Sequence, residues 1–225
     1  MAAKSESSWL MRRAETALKS GFTKAYESVK VDPAHYLLHL RTAHGLPVNT
    51  YEGLFSVSIE ELDDTAAETI RASMKIAALE GAGLGIGGML TLVPDLGILS
   101  AITLRTIQKL SLIYGFQYNT DDEIAELWIA MASAAGVDIS RELLERQIVQ
   151  RFVPRVIQRI ATQASAEVVE KWVGRVIPIL SSILGAGLNY LFVRAWSERA
   201  VAHFRQKHLD RRQAIQAASG VLLQP

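Results

Sequence analysis

The stretch from Glu80 to Arg105 sets Gly81, Gly83, Gly85, Gly87 and Gly88 in an otherwise apolar run, with one carboxylate, Asp95, near its middle. Glycine in a helix interior costs about 1 kcal/mol relative to alanine, so such a run needs an offsetting gain. Gly81, Gly85 and Gly88 recur at i, i+4 and i+7, which makes a flat strip for a second backbone to approach. A glycine-rich loop can instead expose amides that cradle phosphate. That alternative lacks its usual context, because no Gly-Lys-Ser/Thr follows and no β-rich run precedes. Pro94 restarts the chain with a residue suited to a first helical turn. Asp95 beside it suits the positive end of the helix dipole; set against that placement is a buried carboxylate facing Glu80 or Arg105.

The rest of the chain is built to surround this stretch with helices. Apolar residues make up 49% of the 225 positions, enough for a sizeable core. Long β-branched alternations are missing, so the prediction is all-α: a single helical bundle domain with a glycine-rich apolar central helical hairpin and a long C-terminal helix. Three parts are expected: an N-terminal amphipathic helix over 1–31, the helical domain over 32–217 and a tail over 218–225. A net charge of +1 gives no global pull towards nucleic acid. The absence of cysteine removes disulfides and thiolate metal sites and fits a reducing compartment. The first thirty or so residues lack the apolar core of a signal peptide, so export by that route is not expected.

Taken in order, Ser5 to Lys30 places Trp9, Leu10, Ala14, Ala17 and Leu18 at helical spacing among basic residues, a docking face or a membrane-surface helix. Asp32-Pro33 caps and opens a second helix that Gly45 and Pro47 stop. His35 and His39 share one face of it at a spacing compatible with metal, but Tyr36, Leu37 and Leu38 stand where a zinc-protease motif needs a glutamate. Ser58 with Glu61, and Thr120 with Glu123, read as capping boxes. A long helix follows Pro94, uncharged over its first half, Leu96 to Leu104, and is expected to run to about Tyr114 and end at Gly115; Gly136 ends the next helix and Ser140 caps the one after. Residues 148–160 are two-faced, with Arg151, Arg155 and Arg159 as a basic row and a kink expected at Pro154. Val176 to Val193 holds no charge and reaches the lower edge of a membrane span. Arg194, Arg199, Arg205 and Lys207 follow at once, as a cytoplasmic membrane flank would.

Two sets of motifs resemble one family. Ala78-Leu79-Glu80-Gly81-Ala82, Pro94-Asp95, Leu104-Arg105 and Tyr114-Gly115 are similar to the glycine-rich centre of the EcsC family. Ile177-Pro178, Gly185-Ala186-Gly187, Leu188-Asn189-Tyr190 and Ala202-His203-Phe204 are similar to its C-terminal part. The resemblance covers Pro33 to Arg212 and leaves out the N-terminal helix. It implies a helical bacterial protein, cytoplasmic or membrane-associated, with an ABC transporter or another membrane protein as a candidate partner, and it carries over no catalytic residues. It also draws attention to Glu80, Asp95, Arg105 and Asn189 as a buried polar cluster, paired Glu80–Arg105 or Asp95–Asn189, since polar groups in apolar surroundings need partners.

Three functions follow. The first is a membrane-associated protein, peripheral to or inserted in the inner membrane, that meets acidic lipid or a membrane partner through Arg151, Arg155, Arg159, Arg194, Arg199, Arg205 and Lys207. The second is a soluble helical scaffold or adaptor. The third is an enzyme using the Glu80 and Asp95 carboxylates, disfavoured because no nucleophile motif or thiol accompanies them. No cofactor and no nucleic-acid partner is expected, His35 and His39 are the only metal candidates, and self-association is left open.

Overall fold

The computed structural model describes residues 2–28, 30–84, 92–139, 149–173 and 181–221. Among these it contains α1 (Ala2–Ser28), α2 (Pro33–Ala43), α3 (Ile59–Leu84), α4 (Leu92–Ile113), α5 (Asp121–Ala134), α6 (Val149–Val173) and α7 (Ser181–Val221), with a short 3-10 turn over Glu52–Ser56 and no strand. The all-α expectation is met, and α7, at 41 residues, is the long C-terminal helix.

The helix ends follow local chemistry. The Asp32 carboxylate accepts from the amides of Ala34 (2.8 Å) and His35 (3.3 Å), with Pro33 at the first helical position. At α5, the Thr120 hydroxyl accepts from Glu123 N while Glu123 reaches back to Thr120 N at 2.9 Å, a complete capping box. Ser58 accepts from Glu61 N at 3.2 Å, but its hydroxyl donates to the Glu61 carboxylate. Gly45, Gly115 and Gly136 close α2, α4 and α5 at φ of 69°, 90° and 72°, in the left-handed region that glycine tolerates. At Gly115 a Cβ would also stand 3.1 Å from the Phe55 ring. Ser140 and residues 85–91, with Gly85, Gly87 and Gly88, lie outside the described residues. Helix α6 runs continuously through Pro154.

Helix α4 is the axis of the bundle, packed against α1, α2, α3, α5 and α7. Its apolar positions Leu104, Ile107, Leu110 and Ile113 are fully buried. Its buried hydroxyls are satisfied within the helix: Ser100 donates to Leu96 O, Thr103 to Leu99 O and Thr106 to Ile102 O, each at 2.7 Å. A helix whose polar groups are closed on themselves suits a protein core as well as it suits lipid.

Helix α1 belongs to the same core. Ala14, Leu18 and Phe22 are fully buried, and Phe22 stacks on Trp196 of α7 with ring centroids 5.9 Å apart. A Cβ at Gly21 would lie 2.8 Å from Ser100 Oγ and 2.9 Å from the Cα of Gly97. The close backbone approach that glycine permits is therefore found at the α1–α4 crossing, at positions the sequence reading did not single out.

Candidate functional site

One carboxylate fixes how three helices lie. Tyr114, just past α4, donates its hydroxyl to Asp63 Oδ1 at 2.7 Å, and Arg205 of α7 donates Nε to Asp63 Oδ2 at 2.9 Å. Asp63 sits in the second turn of α3, so the start of α3, the end of α4 and the middle of α7 share one layer. Further along, Met74 of α3 faces Tyr190 of α7 across a groove, so α3 runs antiparallel to both neighbours. The end of α3 and the starts of α4 and α7 therefore converge at the far end of the bundle.

That end is apolar on its outside. Leu79 is 75% exposed and Ile76 52%, and Ile98, Tyr190 and Leu191 are also exposed. At 1.5 Å per residue, Leu79, Ile98 and Tyr190 each lie about 22–24 Å along their helices from the Asp63 layer. Three helices thus present large apolar side chains at one depth. Helix α1 runs in the same direction as α4: Gly21 is level with Gly97 and Ser100, and Val31 N donates to Gln108 Oε1 at 3.1 Å. The first turns of α1 consequently run on past that depth: exposed Arg13, Arg12, Met11 and Trp9 lie about 12–18 Å beyond Gly21 along the helix. The Arg13 guanidinium lies 4.9 Å over the Trp9 ring. Exposed Lys75 on α3 and Arg194 on α7 stand about one turn, and exposed Arg71 on α3 about two turns, inward of the apolar layer. Aromatic and basic side chains flanking an apolar layer match the chemistry of a membrane–water interface.

The opposite end is polar and tightly paired. Burial and, next, the hydrogen bond to Asp63 push the Tyr114 hydroxyl well above its ordinary range. His208 is buried and stacks on Phe55 with ring centroids 4.9 Å apart; its Nδ1–H donates to Tyr114 O at 2.9 Å. Its Nε2, and that of His203, have no hydrogen-bond partner among the described residues. Burial, ahead of every other cause, lowers the pKa of both imidazoles, which keeps them neutral. A cleft of about 310 Å³ beside them is lined by Phe55, Phe116, Glu126, Lys207 and Arg211 among others. Lys207 occupies it, 2.8 Å from Glu126 and 4.7 Å over the Phe116 ring. These groups are engaged with one another, which is an arrangement for holding α4, α5 and α7 together.

The residues singled out from sequence fall in several places. Arg194 pairs with Glu198 at 2.7 Å, Arg199 with Glu167 at 3.8 Å, Arg205 with Asp63 and Lys207 with Glu126. The basic run after the apolar segment thus serves largely as internal pairing. Arg151 and Arg155 are exposed on α6, and Arg159 donates to Asp138 O at 3.2 Å. Glu80 and Arg105 are exposed, so they do not form part of a buried cluster; Asn189 is buried, and the Asp95 side chain lies outside the described set. His35 and His39 are exposed on α2, the His39 ring meets His44 at 5.2 Å, and His44 Nδ1 lies 3.3 Å from Glu68. Among the described residues no three metal-binding side chains come together. Sequence reasoning missed the Asp63–Tyr114–Arg205 clamp, because Asp63 stands among the acidic first two turns of α3, which read as a solvated face. It also missed Ile76, Leu79 and Tyr190, whose only signal was an apolar residue off the buried stripe.

A profile described as the EcsC protein family matches residues 11–209, starting inside α1. Protein EcsC of Bacillus subtilis (strain 168) is 25% identical over 133 residues, 59% of this chain and 56% of that protein, so the match spans little more than half of the relative. No solved structure matches the chain.

Proposed function

This chain belongs to the EcsC protein family, and from that premise we propose that it is a peripheral membrane protein that rests on a lipid surface through the apolar end of its bundle. The observation that carries this reading is the layer of Ile76, Leu79, Ile98, Tyr190 and Leu191, contributed at one depth by three helices. Scattered exposed apolar residues are ordinary, whereas large apolar side chains gathered at one depth by three helices favour a contact surface at that end. Tyr190 supplies an aromatic ring within the layer, and exposed Lys75 and Arg194 add charge about one turn inward of it. The charges favour anionic lipid, because each basic residue near such a surface contributes about 1 kcal/mol.

Lying on the membrane suits this fold better than crossing it. Among the described residues one helix is long and apolar enough to span, Leu96–Ile113, and 67% of it is buried within the bundle. A place on the inner face of the cytoplasmic membrane, where an ABC transporter is a candidate neighbour, follows as part of the same reading.

Flotation of the purified protein with vesicles tests the proposal. Flotation with anionic vesicles that weakens in high salt and persists in part, through the apolar layer, is the expected result. Absence from the floated fraction under every lipid and salt condition would refute it and leave the second reading, a soluble helical scaffold.

A further inference from the structure

The groove between α3 and α7 has the form of a subsite for one lipid molecule. It encloses about 430 Å³, within the range of small-molecule pockets. Its floor is apolar, made by Ala66, Ile70, Met74 and Val201, and Arg71 and Arg194 stand on its rim. We propose that this groove binds the phosphate headgroup of a single anionic phospholipid at Arg71 and Arg194, with the acyl chains running out along Met74 and Tyr190 to the apolar end. The inference rests on the membrane reading above and names the ligand class for it.

Three observations support the assignment. The first is continuity: Met74 and Tyr190 line the groove, and Tyr190 also belongs to the exposed apolar layer. A chain leaving the groove there stays on apolar surface until it reaches the hydrocarbon. The second is depth. Arg194 lies about 6 Å inward of that layer along its helix, within the headgroup zone of a bilayer, about 5–7 Å deep on each side; the Arg71 backbone lies about 12 Å inward, beyond that zone, so only its long side chain can reach a headgroup held at Arg194. The third is charge availability. Arg71 is exposed and has no ion partner among the described residues. Arg194 holds Glu198 in a pair half open to solvent, which a phosphate can displace at little cost. The other carboxylate in the groove, Asp63, is already held by Tyr114 and Arg205, so it leaves less repulsion for an incoming anion. A guanidinium pair also suits the planar fork geometry of phosphate recognition.

The test uses short-chain lipids below their micelle concentration, so that no membrane is needed. The full-length protein is titrated with dihexanoyl phosphatidylglycerol, dihexanoyl phosphatidylcholine and inorganic phosphate, followed by calorimetry and by backbone amide shifts. Saturable binding of the phosphatidylglycerol is expected, with shifts in α3 and α7. Combining Arg71→Gln with Arg194→Gln should weaken it about tenfold or more, from the loss of two charge-assisted contacts. Ala67→Trp, which fills the groove one turn from Arg71 and keeps both guanidinium charges, should block it while leaving the circular dichroism melt in place. Equal affinity for the phosphatidylcholine, or no loss in either variant, would overturn the proposal. Binding of inorganic phosphate as tight as that of the lipid would overturn it too, by assigning the arginines to free phosphate. Vesicle flotation of the unaltered protein with no short-chain lipid binding would defeat the groove and leave the membrane reading standing, whereas absence of flotation would defeat that reading itself.

Discussion

Leu79→Glu is the substitution that bears most directly on the apolar end. Leu79 is 75% exposed on the last turns of α3, so the fold gains little from it. Exposed substitutions of this kind usually change folding stability by less than about 0.5 kcal/mol. Its membrane contribution is larger. Full burial of a leucine side chain is worth about 1.5–3 kcal/mol, and with three quarters of this one open to solvent, about 1–2 kcal/mol is available on insertion. The new carboxylate adds a penalty that reaches about 2.5–3.5 kcal/mol at the bilayer centre and is smaller in the interface, and it meets like charge on anionic lipid. Together these amount to about 2–4 kcal/mol, or roughly 30-fold to 1,000-fold in vesicle partitioning. Sedimentation of vesicles over a lipid titration gives the partition coefficient, and a urea curve gives the stability. A variant with normal stability and an unchanged partition coefficient would refute the reasoning, because it would show that Leu79 does not meet lipid.

Other consequences are checked on the folded protein alone. Asp63→Ala strands the Tyr114 hydroxyl and frees Arg205; the half-exposed ion pair matters less than the hydroxyl, and a loss of about 1–3 kcal/mol is expected in urea unfolding. Gly21→Val drives side-chain atoms into Ser100 and the Gly97 backbone, and should cost about 1–3 kcal/mol or more, seen as a lower Tm. His203 and His208 have folded pKa values below the ordinary 6.5. The unfolded chain therefore binds more protons just below that pH, so stability is full above 6.5 and falls as pH drops through it towards the folded values. Urea midpoints at a series of pH values should show that decline, and His208→Phe should reduce its slope. Thr120→Ala removes one half of the α5 capping box and should cost about 1 kcal/mol by the same measurement.

What the sequence disclosed was governed by range. Asp32-Pro33, Thr120 with Glu123, and the glycines at 45, 115 and 136 act through neighbours a few residues away, so helix starts and stops were legible. The two-faced pattern around Val149, Phe152, Val153, Val156 and Ile160 likewise gave the buried side of α6, since those residues are buried. Contacts between distant helices were not. Nothing local marks Asp63 as the partner of Tyr114 and Arg205, 51 and 142 residues away. Gly21 lies among ordinary amphipathic residues, and only the crossing with α4 shows why a side chain does not fit there. The basic residues from Arg194 to Lys207 read as a flank because their sequence neighbours are apolar, yet their acidic partners come from α3, α5 and α6 as well as from α7 itself. Glu80 and Arg105 have apolar neighbours in sequence but lie on outward faces of their helices, so the burial inferred from composition did not follow.

The central claim is that one end of the bundle meets lipid and the other does not. Because the chain has no cysteine, a single one can be introduced without removing any other. Leu79→Cys places it on the apolar end. Gln213→Cys places it on an exposed turn beyond Arg212, whose Nη1 reaches Val57 O before the start of α3, at the polar end. Each variant is labelled with an environment-sensitive fluorophore and mixed with anionic vesicles. The account predicts a blue shift and lipid-phase quenching for the label at 79 and an unchanged spectrum for the label at 213. Equal responses at both positions, or a response at 213 alone, would contradict it.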